Sequence, residues 1–138
     1  MPVETTLVLV KPDGVRRGLC GEVVARLERR GYELRGARLV RVTKALAREH
    51  YAEHRTKPFF PDLVEFITSG PVLALAVRGE DAIAGVRGLM GATNPKDAAP
   101  GTIRGDLATL LQENVVHGSD SRASARRELR LFFPDGLL

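Results

Sequence analysis

The stretch Val72-Leu73-Ala74-Leu75-Ala76-Val77 is apolar at every position. A short apolar run preceded by the turn Ser69-Gly70-Pro71 reads as a strand, and its unbroken apolarity places it centrally in a sheet. Upstream, Asp62 to Thr68 reads as a short helix, Pro58 and Pro61 interrupt the chain, and Thr43 is placed to N-cap a helix running to about His54. Tyr32 to Val42, with Leu34, Leu39, Val40 and Val42 interrupted by Arg, reads as a strand. Leu19, Val23 and Leu27 follow i, i+4 spacing, with Cys20 and Val24 beside them. They form one face of a helix that Gly31 ends. Thr5 to Val10 is a β-branched and apolar run stopped by Pro12-Asp13-Gly14, hence a strand leading into a turn. Downstream, Asp81 to about Met90 is helical, and Asn114 to His117 makes a short fourth strand. Ser121 to Phe132 is a final helix, ended by Phe133-Pro134-Asp135-Gly136. Residues 91–101 are rich in Gly, Pro, Asn and Ala and begin an ordered loop that reaches to about residue 114.

With the small helices treated as insertions, this order contains β-α-β-β-α-β. The expected fold is α+β: a ferredoxin-like split β-α-β unit, with a four-stranded antiparallel sheet and helices on one face. The 138 residues and 15.0 kDa fit a single domain spanning 1–138. At 43% hydrophobic and 28% charged the chain can bury a core. No apolar run approaches the length of a transmembrane helix. Met1-Pro2-Val3-Glu4 does not open a secretory signal, and the lone Cys20 fits a reducing compartment. The expected location is the cytoplasm.

The net charge is +4 and the pI about 9.7. A basic balance favours phosphate-bearing partners. The surplus is local, because residues 16–41 hold eight Arg against three Glu, a net +5, and the rest of the chain balances or falls below zero.

Several motifs are missing or misleading. There is no Walker-type phosphate loop, and the glycines of Gly85-Val86-Arg87-Gly88-Leu89-Met90-Gly91 have neither the spacing nor the preceding strand of a dinucleotide fingerprint. Arg104-Gly105-Asp106 spells an adhesion tripeptide in a chain with no export signal. His50 and His54 stand i, i+4 on a helix but lack a third clustered ligand, so a solvated or partly buried helix face is favoured over a metal site. Cys20 reads as a small hydrophobe. His117-Gly118-Ser119-Asp120-Ser121 contains the letters of a hydrolase triad, but chain neighbours seldom converge as triad members do.

His117 sits where a strand ends and a polar, Gly-containing turn opens a helix. That helix start offers free N–H groups and a positive dipole end. A histidine there either faces an anion or caps the turn locally. Glu128 lies two turns into the same helix, and helical side chains lean toward the helix start. It either fixes the imidazole of His117 or pairs with Arg127 or Arg130. Lys11, Arg87, Thr93, Arg104 and Asn114 stand at element ends or in the loop, and two Arg with one Lys make a reasonable polyphosphate clamp. Phe59 and Phe60, between two prolines, offer a stacking plate for a nucleobase.

Asn114-Val115-Val116-His117-Gly118-Ser119-Asp120-Ser121 closely resembles the signature of nucleoside diphosphate kinases. Thr6 to Gly14, Lys57-Pro58-Phe59-Phe60, Ser69-Gly70-Pro71, Gly91-Ala92-Thr93-Asn94-Pro95, Pro100 to Asp106 and Arg127-Glu128 match in the same order, so the resemblance covers essentially the whole chain. It implies transfer of a γ-phosphoryl group from a nucleoside triphosphate, mainly ATP, to a nucleoside diphosphate, by a ping-pong route through a phosphohistidine at His117. By the same resemblance Glu128 orients that histidine, Ser119 bonds nearby and Tyr51 lies close to the transferred group. Arg87, Thr93 and Arg104 grip phosphates. Lys11 and Asn114 contact the sugar hydroxyls, with Lys11 also reaching the phosphates. Phe59 stacks on the base, and Leu63 and Leu111 complete the slot.

Mg²⁺ is expected on the nucleotide rather than in a protein cage. Stacking predicts broad base tolerance, and contacts to the sugar predict acceptance of ribose or deoxyribose. The resemblance is to short bacterial forms, with a homo-oligomer, tetramer or hexamer, built from dimers. Leu107 stands where the family often has Phe. The alternative is a nucleic-acid-binding ferredoxin-like module, but no basic-aromatic strand motif supports it among only seven aromatics, so any such binding is expected to be incidental. A catalytically dead scaffold is disfavoured because every catalytic-type position is filled.

Overall fold

The computed structural model describes residues 2–138. Strand β1 (Val3–Val10) alternates Leu7 and Leu9 toward one face with Val8 and Val10 toward the other, and all four are fully buried. A strand buried on both faces belongs inside a sheet. After the short helix α1 (Pro12–Arg16) and the helix α2 (Cys20–Arg29), strand β2 (Glu33–Arg41) is half-exposed along its length, as an edge strand is. Helices α3 (Lys44–His50) and α4 (Phe60–Ile67) follow, with a 3-10 turn at Ala52–His54 between them. Strand β3 (Pro71–Glu80) contains the apolar run and lies beside β1. Helices α5 (Ala82–Met90) and α6 (Ile103–Leu107), strand β4 (Val116–Gly118) and helix α7 (Arg122–Phe132) complete the chain.

The sheet order is β2-β3-β1-β4, and all three pairings are antiparallel. This is the ferredoxin-like arrangement expected from the element order. The helix layers are fuller than expected. The crossover helices α2 and α5 pack through Val23, Leu27, Val86 and Met90 onto the face of Val8, Val10, Leu75 and Val77. The opposite face of Leu7, Leu9, Val72, Ala74 and Ala76 is covered by Ala47 of α3, Val64 and Ile67 of α4, and Phe132 of α7. Helices on one face alone is therefore corrected to helices on both. The physical reason is that both sets of alternating side chains in β1 and β3 are apolar and need cover.

Local chemistry sets the boundaries. The Thr43 hydroxyl accepts the Leu46 N–H at 3.1 Å and caps α3 as expected, but that helix ends at His50 and tightens into the 3-10 turn. Gly31, at φ +100°, follows α2 in the left-handed conformation that glycine favours. Pro12-Asp13-Gly14, expected as a turn, starts α1, with Pro12 in its first turn where a missing N–H costs nothing. The expected loop near 91–114 contains α6, whose cap is the Thr102 hydroxyl accepting from Gly105 N–H. The fourth strand starts at Val116 rather than Asn114, because a tight turn precedes it.

Candidate active site

The cleft forms where β1 ends and β4 begins. His117 pairs across the ladder with Leu9, and cross-strand partners share a face. Leu9 points to the α3 and α7 side, so His117 meets those two helices. From α7, Glu128 reaches back two turns, and its Oε1 lies 2.9 Å from His117 Nε2. The same oxygen accepts the Ser119 hydroxyl at 2.8 Å. Glu128 is 5% exposed. Burial alone raises its carboxyl, but the hydrogen bonds from His117 and Ser119 outweigh that and leave it below the ordinary carboxylate range. Arg127 does approach the other oxygen, at 3.8 Å, yet the close partner is His117. Ser121 caps α7 by accepting Ser124 N–H.

The turn before β4 is strained. Val116 N–H bonds back to Asn114 O at 2.8 Å, and Val115 between them has φ +72°. That is the rarer γ-turn, and a β-branched residue pays steric energy in it. Three groups hold it. Asp13 Oδ2 accepts Val115 N–H at 3.0 Å, and Lys11 N–H donates to Val115 O at 2.8 Å. Arg104 Nε donates to Asn114 O and its Nη2 to Val116 O, while Nη1 donates to Gly91 O. The bent segment carries Asn114 and His117 on either side of Val115 and turns both toward one cleft.

That cleft has a volume of about 590 Å³. Lining it are Lys11, Tyr51, Phe59, Leu63, Arg87, Thr93, Arg104, Leu111, Asn114, His117 and Glu128. All of these were singled out from sequence, and Ser119 stands behind them as a partner of Glu128. Arg87 Nη1 donates to Gly118 O. Asn114 Nδ2 donates to Thr93 O, while its buried Oδ1 has no protein partner. Phe59 and Leu111 are 45% and 58% exposed, open enough to receive a flat ring. Burial pushes Lys11 down to about 8, with Asp13 opposing and Arg104 adding to the fall. Burial likewise lowers Arg104 to about 10, helped by Arg87. Burial raises the Tyr51 phenol, so it stays protonated.

Two residues of this neighbourhood escaped the sequence reading. Asp13 reads in sequence as turn punctuation, and its burial and its bond to Val115 emerge only in the fold. His50 is not on a solvated or partly buried face but is 4% exposed and packed against His117. The Arg104-Gly105-Asp106 tripeptide is engaged internally, since Asp106 pairs with Arg26 at 2.9 Å and accepts Gly101 N–H. Cys20 is a half-buried free thiol packed against the core.

A carboxylate-held histidine in a cationic cleft on a ferredoxin-like sheet is an arrangement suited to phosphate chemistry. The family model for nucleoside diphosphate kinase matches residues 4–137, and the chain belongs to that family. It is 64% identical over 131 residues to a nucleoside diphosphate kinase of Rubrobacter xylanophilus, covering 95% of this chain and 98% of that one. It is 58% identical over 137 residues to one of Thermus thermophilus, covering 99% and 100%. Its structure superposes at a TM-score of 0.96, with 54% identity, on a halophilic nucleoside diphosphate kinase from Halobacterium salinarum in complex with CDP. That match covers 99% of this chain and 92% of the other.

Proposed function

We propose that this chain moves a γ-phosphoryl group from a nucleoside triphosphate to a nucleoside diphosphate through a phosphohistidine at His117. The observation that carries the reading is the 2.9 Å pair between His117 Nε2 and Glu128 Oε1. An ionised carboxylate only accepts hydrogen bonds, so Nε2 holds the imidazole proton. The lone pair is then on Nδ1, which attacks. A bond forms from Nδ1 to the γ-phosphorus, the bond from phosphorus to the β,γ-bridging oxygen breaks, and the diphosphate leaves with that electron pair. The ring now carries positive charge, which Glu128 stabilises. A second diphosphate reverses the step and regenerates the free histidine.

The remaining roles follow from chemistry. Phosphoryl transfer depends on in-line placement and charge neutralisation. Arg87, Arg104, Lys11 and Thr93 grip the phosphates. Arg104 uses three of its N–H groups on backbone carbonyls, leaving two for phosphate oxygens. The free Oδ1 of Asn114 accepts from a sugar hydroxyl, and Lys11 donates to the sugar and phosphates. The base lies on Phe59, bounded by Leu63 and Leu111, with little edge recognition and therefore broad tolerance. Tyr51 remains a neutral donor near the transferred group.

A divalent ion, Mg²⁺, is proposed to arrive on the nucleotide. The residues fit that role. Among the described residues the one candidate metal-holding cluster is nitrogen-rich, unlike the oxygen set Mg²⁺ requires, while the cationic lining suits the phosphates that carry it. Lys11, Arg87 and Arg104 would hold the phosphates that carry it, and the ion would supply further neutralisation of their charge. We further read residues 1–138 as one domain, acting as a homo-oligomer in the cytoplasm. No helix among the described residues is long and apolar enough to cross a membrane. The exposed edge of β2, with Leu39 65% exposed, offers a second copy a surface.

The test is short. Incubation with γ-labelled ATP and Mg²⁺ should give an acid-labile, base-stable phosphoprotein that discharges onto added diphosphate. His117→Ala should remain unlabelled. Absence of label on the unaltered protein, or label persisting in the variant, would overturn the reading.

A further inference from the structure

His50 takes no part in that mechanism, yet it is the most constrained imidazole of the cleft. It is 4% exposed, and neither ring nitrogen has a hydrogen-bond partner. Its ring lies 4.6 Å from that of His117 at 76°, with Tyr51 and Phe132 on other sides. Burial, aided by His117, lowers it to about 3, so it is neutral at pH 7 with one lone pair free. Buried polar groups without partners call for an explanation. One ligand atom each from His50, His117 and Glu128 lies within 4.8 Å of the others. His50 also lines the cleft, so the group is reached from solvent.

Two imidazoles and one carboxylate, with an open fourth position, are a donor set for zinc-type ions. Metal–nitrogen bonds of about 2.0–2.1 Å place ligand atoms roughly 3.3 Å apart in a tetrahedron. His117 and Glu128 are already closer than that, so only His50 must move inward by an ångström or so. We propose that His50, His117 and Glu128 form an inhibitory site for a borderline transition-metal ion of the zinc type, mutually exclusive with the phosphoryl group on His117. If the metal takes Nε2, the single ring proton shared with Glu128 moves to Nδ1, which removes the nucleophile. If it takes Nδ1, it occupies the nucleophile directly. Either way the Nδ1 lone pair is no longer free for phosphorus, and attack stops. The hard-ion preference of Mg²⁺ keeps it from competing here. The site stands on its own geometry, and the exclusion of phosphate rests on the phosphohistidine reading.

The experiment uses Co²⁺, whose visible spectrum reports nitrogen-ligated low-coordinate binding, added to metal-free protein without nucleotide, followed by displacement with Zn²⁺. One equivalent per chain is expected. His50→Phe, which keeps a buried ring and removes both nitrogens, should weaken Co²⁺ binding by more than about tenfold, as loss of a ligand implies. Phosphorylating the unaltered protein should abolish the spectrum. Zn²⁺ should slow labelling of the unaltered protein and leave His50→Phe at its own uninhibited rate. Equal affinity in His50→Phe, or a spectrum unchanged by phosphorylation, would overturn the site. Should His50→Phe fail to fold, the phosphorylated protein decides alone. Co²⁺ binding in a protein that never labels would reject the phosphohistidine and leave the metal site standing.

Discussion

Lys11 sets the pH response of the cleft. Its ammonium is held down to about 8 by burial, so the free protein loses that charge as pH rises through 8. Affinity for a nucleoside diphosphate is expected to fall above that point, while Lys11→Arg should keep a flat profile, which calorimetric titration across pH checks. The sign for stability is opposite. Between the folded value near 8 and the ordinary 10.5 the unfolded chain binds more protons, so the Lys11 contribution to stability grows as pH rises above 8. Lys11→Met should remove that growth in urea midpoints. Arg104 tests geometry rather than charge. Arg104→Lys keeps a cation but loses the fork that spans Gly91, Asn114 and Val116, and should cost about 10²-fold in kcat, comparable to losing a preorganised donor. Single-turnover labelling near the unaltered rate would show that charge alone suffices.

At the scale of elements, the γ-turn at Val115 is the hinge on which Asn114 and His117 depend. Asp13→Ala leaves a buried N–H unpaired and should destabilise by about 1–3 kcal/mol, with turnover reduced as the turn relaxes. Asp13→Asn keeps an acceptor and should hold most of the stability. Because Asp13 raises Lys11 by its charge, Asp13→Asn should move the pH break in nucleotide affinity lower. An unmoved break would separate the two residues. The short helix α6 depends on Gly105, where an added Cβ would fall 1.9 Å from Ala99 O and 2.8 Å from the Thr102 hydroxyl. Backbone cannot yield that far, so Gly105→Ala should displace α6 and Arg104 with it. The expected result is weaker nucleotide binding and a loss of about 1–3 kcal/mol with secondary structure retained by circular dichroism.

At the scale of the molecule, the arginine surplus of residues 16–41 has a structural destination. Arg17 donates to Leu107 O, Arg26 pairs with Glu22 and Asp106, and Arg38 donates to Phe132 O. These side chains tie α2, β2 and the residue after α1 to α6 and the end of α7. Little of that charge is arranged for a polyanion. Retention on nucleic acid is therefore expected to be weak, to vanish at moderate salt and to be unchanged by His117→Ala. Retention that resists salt would revive the nucleic-acid alternative. Sedimentation should show a homo-oligomer, with Leu39→Glu on the exposed β2 edge shifting it toward smaller species.

What the amino-acid order determined by itself is the local part. Alternation and apolar runs marked all four strands, Thr43 and Ser121 marked helix starts, and the stretch around His117 marked the candidate site, because these depend on neighbours in the chain. What only the tertiary structure decided depends on residues far apart. Helices on both sheet faces follow from how two apolar faces of β1 and β3 find cover. The role of Asp13 needs Val115, 102 positions away, and the burial of His50 needs β4 and α7 packed over α3. Periodicity reports which face a side chain takes, but strain, desolvation and converging ligands exist only once distant segments meet.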